Sequence, residues 1–157
     1  MSVSKSPHRI IAIEDNPGDT YLLRMALEEQ NEPYVLEVLP DGESALDFIS
    51  HHCSQPEPCL IILDLNLPRY DGVTILRAIR AQPELAHIKV VVMTSSASPR
   101  EKEAVLALGI DSWRMKPGNW DQMVELAREL IAICNKPSPT FKAVASQSRE
   151  PDSPLWL

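Results

Sequence analysis

Long apolar runs are absent from this chain: no stretch approaches the roughly 18 residues of a membrane span. The N-terminal MSVSKSPHR lacks the apolar core of a secretory signal, and a cytoplasmic location is expected. Positive charge is in deficit, with 15 Lys and Arg against 22 Asp and Glu and a formal net charge of −7. A nucleic-acid groove needs clustered Lys and Arg, so that class of partner is disfavoured. Cysteine is scarce; three residues, an odd number, suit a reduced compartment better than a disulfide framework. Neither G-x-x-x-x-G-K-[ST] nor G-x-G-x-x-G occurs, which removes the common nucleotide-binding loops. Internal repeats are missing too. What remains is an ordinary globular composition, 44% hydrophobic and 24% charged, over 157 residues, enough for one domain with a single good core.

His51, His52, Cys53 and Cys59 lie close together and invite a metal reading. Their spacing matches no familiar zinc pattern, and SHHCSQPEPC is proline-rich, so a surface loop is the expectation.

Apolar runs and helical periods alternate along the chain. Ile10 to Ile13 form a first strand, and a helix follows from about Asp19 to Gln30 with Leu22, Met25, Ala26 and Glu29 on one face. Tyr34 to Leu39 is a second strand, and a helix carrying Ala45, Leu46 and Ile49 comes next. The run 60–64 is a third strand, unbroken in apolar character until Asp64, as expected of a parallel strand covered on both faces. A helix near Val73 to Gln82, with Leu76 and Ile79 inward, leads to a fourth strand, Ile88 to Met93. Ser98-Pro99 opens a fourth helix, with Val105 and Leu108 inward and Gly109 as its stop. Asp111 to Met115 reads as a polar edge strand. In the last helix Met123, Leu126, Ala127, Leu130, Ile131 and Cys134 keep a helical period. Five βα units in strict alternation predict a flavodoxin-like, doubly wound parallel sheet of order 2-1-3-4-5. The expected division is an extension at 1–7, one domain at 8–134 and a Pro/Ser-rich tail at 135–157. The apolar Leu155-Trp156-Leu157 ending is unusual for a pure linker.

Chemistry in such a sheet gathers at the carboxyl ends of the strands. Glu14 and Asp15 end the first strand, Asp64 the third, Thr94 and Ser95 the fourth, and Lys116-Pro117 follows the fifth. Taken singly, each has an ordinary explanation; a Glu-Asp pair before a helix, for example, complements the helix dipole. Together they place three carboxylates, a hydroxyl and an ammonium on one edge. Three neighbouring carboxylates raise one another's pKa, and a divalent cation such as Mg2+ relieves that repulsion. Asp64 could then act as an ionised nucleophile toward a phosphoryl group, with Lys116 and Thr94 binding the phosphoryl oxygens.

EDNPGD at 14–19, LDLNLPRYDG at 63–72, MTSSAS at 93–98 and MKPG at 115–118 resemble the motifs of a receiver domain from a two-component response regulator. The resemblance covers roughly residues 8–134, and the intervals of 30 residues from Asp64 to Thr94 and 22 from Thr94 to Lys116 match it. It implies a signalling acceptor rather than an enzyme, apart from a capacity to lose its own phosphate. Asp64 would take phosphate from a sensor histidine kinase, Glu14 and Asp15 would hold Mg2+, and Asn66 would add its backbone carbonyl. Thr94 would swing toward the phosphoryl group and Lys116 would contact it, with a Lys116-Pro117 bond that is commonly cis in the family. The aromatic switch position falls on Trp113, bulkier than the usual Tyr or Phe. A narrower resemblance, from EDNPGD, TSS and the loop 51–59, is to stand-alone receivers that include partners of cyanobacterial phytochromes. These often form homodimers through helix 4, strand 5 and helix 5. No basic recognition helix follows residue 134, so output through protein contacts, not DNA, is expected. Two alternatives remain: a pseudo-receiver serving as a constitutive dimerisation module, and a Mg2+-dependent phosphatase of the haloacid dehalogenase type. The latter wants a second Asp two residues after the nucleophile, where this chain has Asn66.

Overall fold

The computed structural model describes residues 6–51 and 57–137. Five parallel strands lie in the order β2-β1-β3-β4-β5. They are β1 (His8–Ile13), β2 (Tyr34–Leu39), β3 (Leu60–Leu63), β4 (Val90–Thr94) and β5 (Ser112–Met115). Five helices connect and follow them: α1 (Pro17–Glu28), α2 (Gly42–His51), α3 (Gly72–Ala81), α4 (Pro99–Leu108) and α5 (Trp120–Asn135). This is the flavodoxin-like arrangement expected from the strict βα alternation.

Two cores follow from the two-residue period of the strands. Ile11, Ile13, Ile61 and Leu63 face one side, with Ala45 and Ile49 of α2, Ile75, Leu76 and Ile79 of α3, and Val105 of α4. Ile10, Ala12, Leu60 and Ile62 face the other, beneath Leu23, Ala26 and Leu27 of α1 and Met123, Leu126, Ala127, Leu130 and Ile131 of α5. Every residue of β3 and β4 is buried, which is why both read as continuous apolar runs. β5 is one of the two edge strands; Ser112 and Trp113 are half-buried, and Arg114 and Met115 are exposed.

The buried face of α1 differs from the one its apolar residues suggest. Leu22 and Met25 are exposed, and Leu23, Ala26 and Leu27 point into the core. Asn16 caps the helix by accepting from the backbone N–H groups of Gly18 and Asp19, and Pro17 occupies the first turn. That start fixes the rotational phase, and LLRMAL offers two overlapping i, i+3, i+4 sets from which the phase selects one. Polar Gln30, one turn beyond, bonds through Nε2 to the carbonyls of Ala26 and Val124 and ties α1 to α5.

At α4, Ser98 and Glu101 form a reciprocal capping box. Gly109 ends the helix at φ 91°, a conformation that costs an L side chain energy. All described peptide bonds are trans, Lys116–Pro117 included, in contrast to the cis bond the family resemblance implied. His52, Cys53 and the Leu155-Trp156-Leu157 ending lie outside the described residues.

Candidate functional site

Parallel register carries the polar strand ends to one edge of the sheet. β1 pairs Ile13 with Leu63 of β3, so Glu14 and Asp64 emerge side by side just beyond the last paired rung. The ladder continues past the strands, because Asp64 N donates to Ile13 O at 3.0 Å and Glu14 N to Leu39 O at 3.1 Å. Thr94, the last residue of β4, pairs with Met115, which delivers Lys116 to the same edge; Lys116 N donates to Thr94 O at 2.9 Å. Asp64 and Glu14 are only 3% and 5% exposed, and Thr94 is fully buried. Ionisable groups are rarely so enclosed without partners, so the contacts inside this cluster decide its chemistry.

Lys116 is the hub. Its ammonium lies 2.8 Å from Asp19 Oδ2, 3.0 Å from Glu14 Oε1 and 3.0 Å from Asp64 Oδ2. Burial works against the charged ammonium, but the carboxylates of Asp19, Asp64 and Glu14 outweigh it and hold the pKa above the ordinary lysine value. Glu14 shows the opposite balance. Burial, aided by the charge of Asp64, lifts its pKa from 4.5 to about 7 despite the hydrogen bonds from Lys116 and Asn16 N. Asp64 is held by both oxygens: Oδ1 accepts from Asn66 N at 2.9 Å while Oδ2 meets Lys116. Its carboxylate plane is therefore fixed before any ligand arrives.

Glu14, Asp15 and Asp64 each offer a carboxylate oxygen within 4.8 Å of the others. Glu14 Oε2 is buried and has no hydrogen-bond partner. An orphaned acceptor among converging carboxylates fits a hard divalent cation with oxygen ligands, Mg2+ or its near equivalents. The cluster therefore suits the metal that its composition suggested.

Thr94 and Asn66 face the cluster from the β4 side. Asn66 Nδ2 donates to Thr94 Oγ1 at 2.8 Å and to Ser96 O at 3.2 Å, and Thr94 Oγ1 donates to Ser96 O at 2.8 Å. The hydroxyl is thus engaged with the β4–α4 loop. Trp113 sits away from these polar groups, half-buried against the core beside α4, with the Lys102 ammonium 5.4 Å from its ring centroid.

The loop after Asp64 closes against α3 at Gly72. A Cβ there would fall 2.5 Å from Leu65 Cα and 3.0 Å from Asp64 O, so only glycine permits this approach. Arg69, at φ 70°, supplies the sharp reversal within that loop. The sequence reading missed Asp19, which turns out to be a direct partner of Lys116. Its signal was present as the closing residue of EDNPGD, but Asp19 marked only the start of the first helix, and its partner Lys116 is distant in sequence.

A family profile for the response regulator receiver domain matches residues 10–128. The response regulator Rcp1 of Synechocystis sp. (strain ATCC 27184 / PCC 6803 / Kazusa) is 31% identical over 128 residues, covering 80% of this chain and 87% of that protein. Among solved structures, the Mn2+-bound form of response regulator Rcp1 is similar at a TM-score of 0.74 and 29% identity, over 85% of this chain and 99% of that one. The phosphorylated cyanobacterial phytochrome response regulator RcpA is similar at a TM-score of 0.72 and 28% identity, over 80% of this chain and 91% of that one.

Proposed function

The chain belongs to the response regulator receiver family, and on that premise we propose that Asp64 accepts a phosphoryl group from the phosphohistidine of a sensor histidine kinase. The observation that carries this reading is the convergence of Lys116 and Glu14 on Asp64, a carboxylate at a strand end that is almost wholly buried. An Asp64 oxygen attacks phosphorus, the new P–O bond forms as the P–N bond breaks, and the kinase imidazole leaves with the electron pair. Asn66 N–H and Lys116 hold the Asp64 carboxylate in place for that attack. Lys116 supplies fixed positive charge for the equatorial phosphoryl oxygens once it exchanges a carboxylate contact for them. Thr94 exchanges its bond to Ser96 O for one to the phosphoryl group, which draws the β4–α4 loop inward.

Glu14, Asp15 and Asp64, with the backbone carbonyl of Asn66, would hold Mg2+. When bound, that ion neutralises the carboxylates and the incoming phosphoryl oxygens together. Trp113 is the packing element whose rotamer answers the Thr94 movement, since it borders the core beside α4 and lies two residues before the Thr94-paired position in β5.

The kinase partner in this reading is a phytochrome, supported by similarity to RcpA, a cyanobacterial phytochrome response regulator. Output passes through protein contacts, with residues 8–134 as the receiver and a homodimer through α4, β5 and α5. Exposed Leu106 and Met115 and a 380 Å3 groove beside β5 and α5 support that surface. A cytoplasmic setting follows for a partner of histidine kinases. Among the described residues, no helix is long and apolar enough to cross a membrane.

Incubation with Mg2+ and acetyl phosphate tests the reading by intact mass. Wild type should gain one acid-labile phosphate and the Asp64→Asn variant none. Absence of any gain by wild type would leave the constitutive dimerisation module as the better account.

A further inference from the structure

A second cluster of metal-ligating side chains lies at the opposite edge of the sheet from Asp64. His8 opens β1, Cys59 immediately precedes β3, and Cys134 closes the last turn of α5. The same parallel pairing that brings Glu14 beside Asp64 sets Arg9 against Cys59 at the amino end, where Cys59 N donates to Arg9 O at 2.8 Å. α5 returns along the sheet and carries Cys134 to that end. One donor atom from each of His8, Cys59 and Cys134 lies within 4.8 Å of the other two.

We infer that His8, Cys59 and Cys134 form a binding site for a thiophilic divalent cation, Zn2+. Two thiolates and an imidazole are the donor set that soft and borderline cations prefer over Mg2+. Neither cysteine is bonded in a disulfide. His8 is 8% exposed, and its Nε2 is buried without a hydrogen-bond partner. An imidazole nitrogen in that state is costly in a core unless something binds it. Glu32 Oε2 stands 3.5 Å from this nitrogen. The Glu32 carboxylate can complete the coordination if His8 binds through Nε2, or orient the ring if it binds through Nδ1.

Charge closes around the same assignment. Lys89 is 9% exposed, and its ammonium donates to the carbonyls of Ile133 and Lys136, which lie on either side of Cys134 in the sequence. Zn2+ with two thiolates is formally neutral, and Lys89 and Glu32 cancel one another. The site would pin the α5 terminus to the foot of β1 and β3. It shares no residue with the Asp64 cluster and does not depend on the phosphorelay reading.

The test uses the full chain, reduced with a phosphine, in excess Mg2+ so that the carboxylate cluster is blocked. Cobalt(II) titration should produce a near-ultraviolet thiolate-to-metal band at one equivalent, and added Zn2+ should erase it. Zn2+ should raise the thermal midpoint of wild type and of Asp64→Asn equally. Cys134→Ser should lose the band, His8→Gln should weaken it, and Glu32→Gln should lower Zn2+ affinity about tenfold or more. Wild type carries the decisive reading if a variant fails to fold. A reduced wild-type protein that gives no thiolate band overturns the site, as does a band that persists in Cys134→Ser. Isolation as a Cys59–Cys134 disulfide that binds no Zn2+ after reduction overturns it equally and makes the pair a redox element.

Discussion

Replacing Glu14 by Gln should stabilise the metal-free protein while removing its response to Mg2+. Glu14 is 5% exposed, and burial together with Asp64 raises its pKa from 4.5 to about 7. The folded state therefore binds a proton more tightly than the unfolded chain does. Stability from this group is complete below pH 4.5 and is lost as pH rises through 7. At about 1.4 kcal/mol per pH unit, the ionised side chain costs on the order of 3 kcal/mol by pH 8. An amide carries no charge, but it must still find partners among carboxylates, so a gain of about 2 kcal/mol is the realistic expectation. Urea denaturation in EDTA measures it: Glu14→Gln should exceed wild type at pH 8, and the gap should shrink toward zero at pH 4. Saturating Mg2+ should then reverse the order. Wild type gains about 2.7 kcal/mol at a hundredfold excess over its dissociation constant, while the variant gains little. A variant no more stable than wild type at pH 8, or a gap independent of pH, would refute the assignment of Glu14 as a strained, metal-seeking carboxylate.

Other expectations follow from the same geometry. Lys116→Met removes the cation shared by Glu14, Asp19 and Asp64, and should cost about 3 kcal/mol in EDTA, with partial recovery in Mg2+; equal loss with and without Mg2+ would contradict the account. Gly72→Ala forces a Cβ against Leu65 Cα, a backbone atom that cannot rotate away, and should cost about 2 kcal/mol and slow phosphorylation together, read by denaturation and by phosphate incorporation. Phosphorylation should change Trp113 emission by rearranging its contacts with the core beside α4 and the nearby Lys102 ammonium, and the change should disappear in Thr94→Ala. An unchanged spectrum with phosphate demonstrably present would remove Trp113 from the switch.

Much of this architecture was legible because burial on both faces leaves a plain signature. LIIL and VVVM are unbroken because β3 and β4 are covered by helices on either side, and polar residues return where each strand leaves the sheet. Glu14, Asp64, Thr94 and Lys116 group together from the sequence alone because strand ends of a parallel sheet share an edge. The face of α1 was less legible, since Leu22, Leu23, Met25 and Leu27 satisfy more than one helical phase and only the Asn16 cap decides between them. Asp19 was overlooked because its partner is 97 residues away. The His8, Cys59 and Cys134 cluster was hidden for the same reason. Local spacing drew attention to His51, His52 and Cys53, whereas strand register and the return of α5 bring Cys59 to two distant residues instead.

The measurement that bears most directly on the central claim is chemical location of the phosphate. An aspartyl phosphate is an acyl phosphate, and borohydride reduces it to an alcohol, leaving homoserine in the chain. Wild type treated with Mg2+ and phosphodonor, reduced and digested, should yield homoserine at position 64, within the peptide that contains LIILDLNLP, and nowhere else. Homoserine at Asp15 or Asp19, the one-carbon-longer hydroxynorvaline that a glutamyl phosphate would leave at Glu14, or phosphate that survives without any reducible acyl group, would contradict Asp64 as the phosphoacceptor.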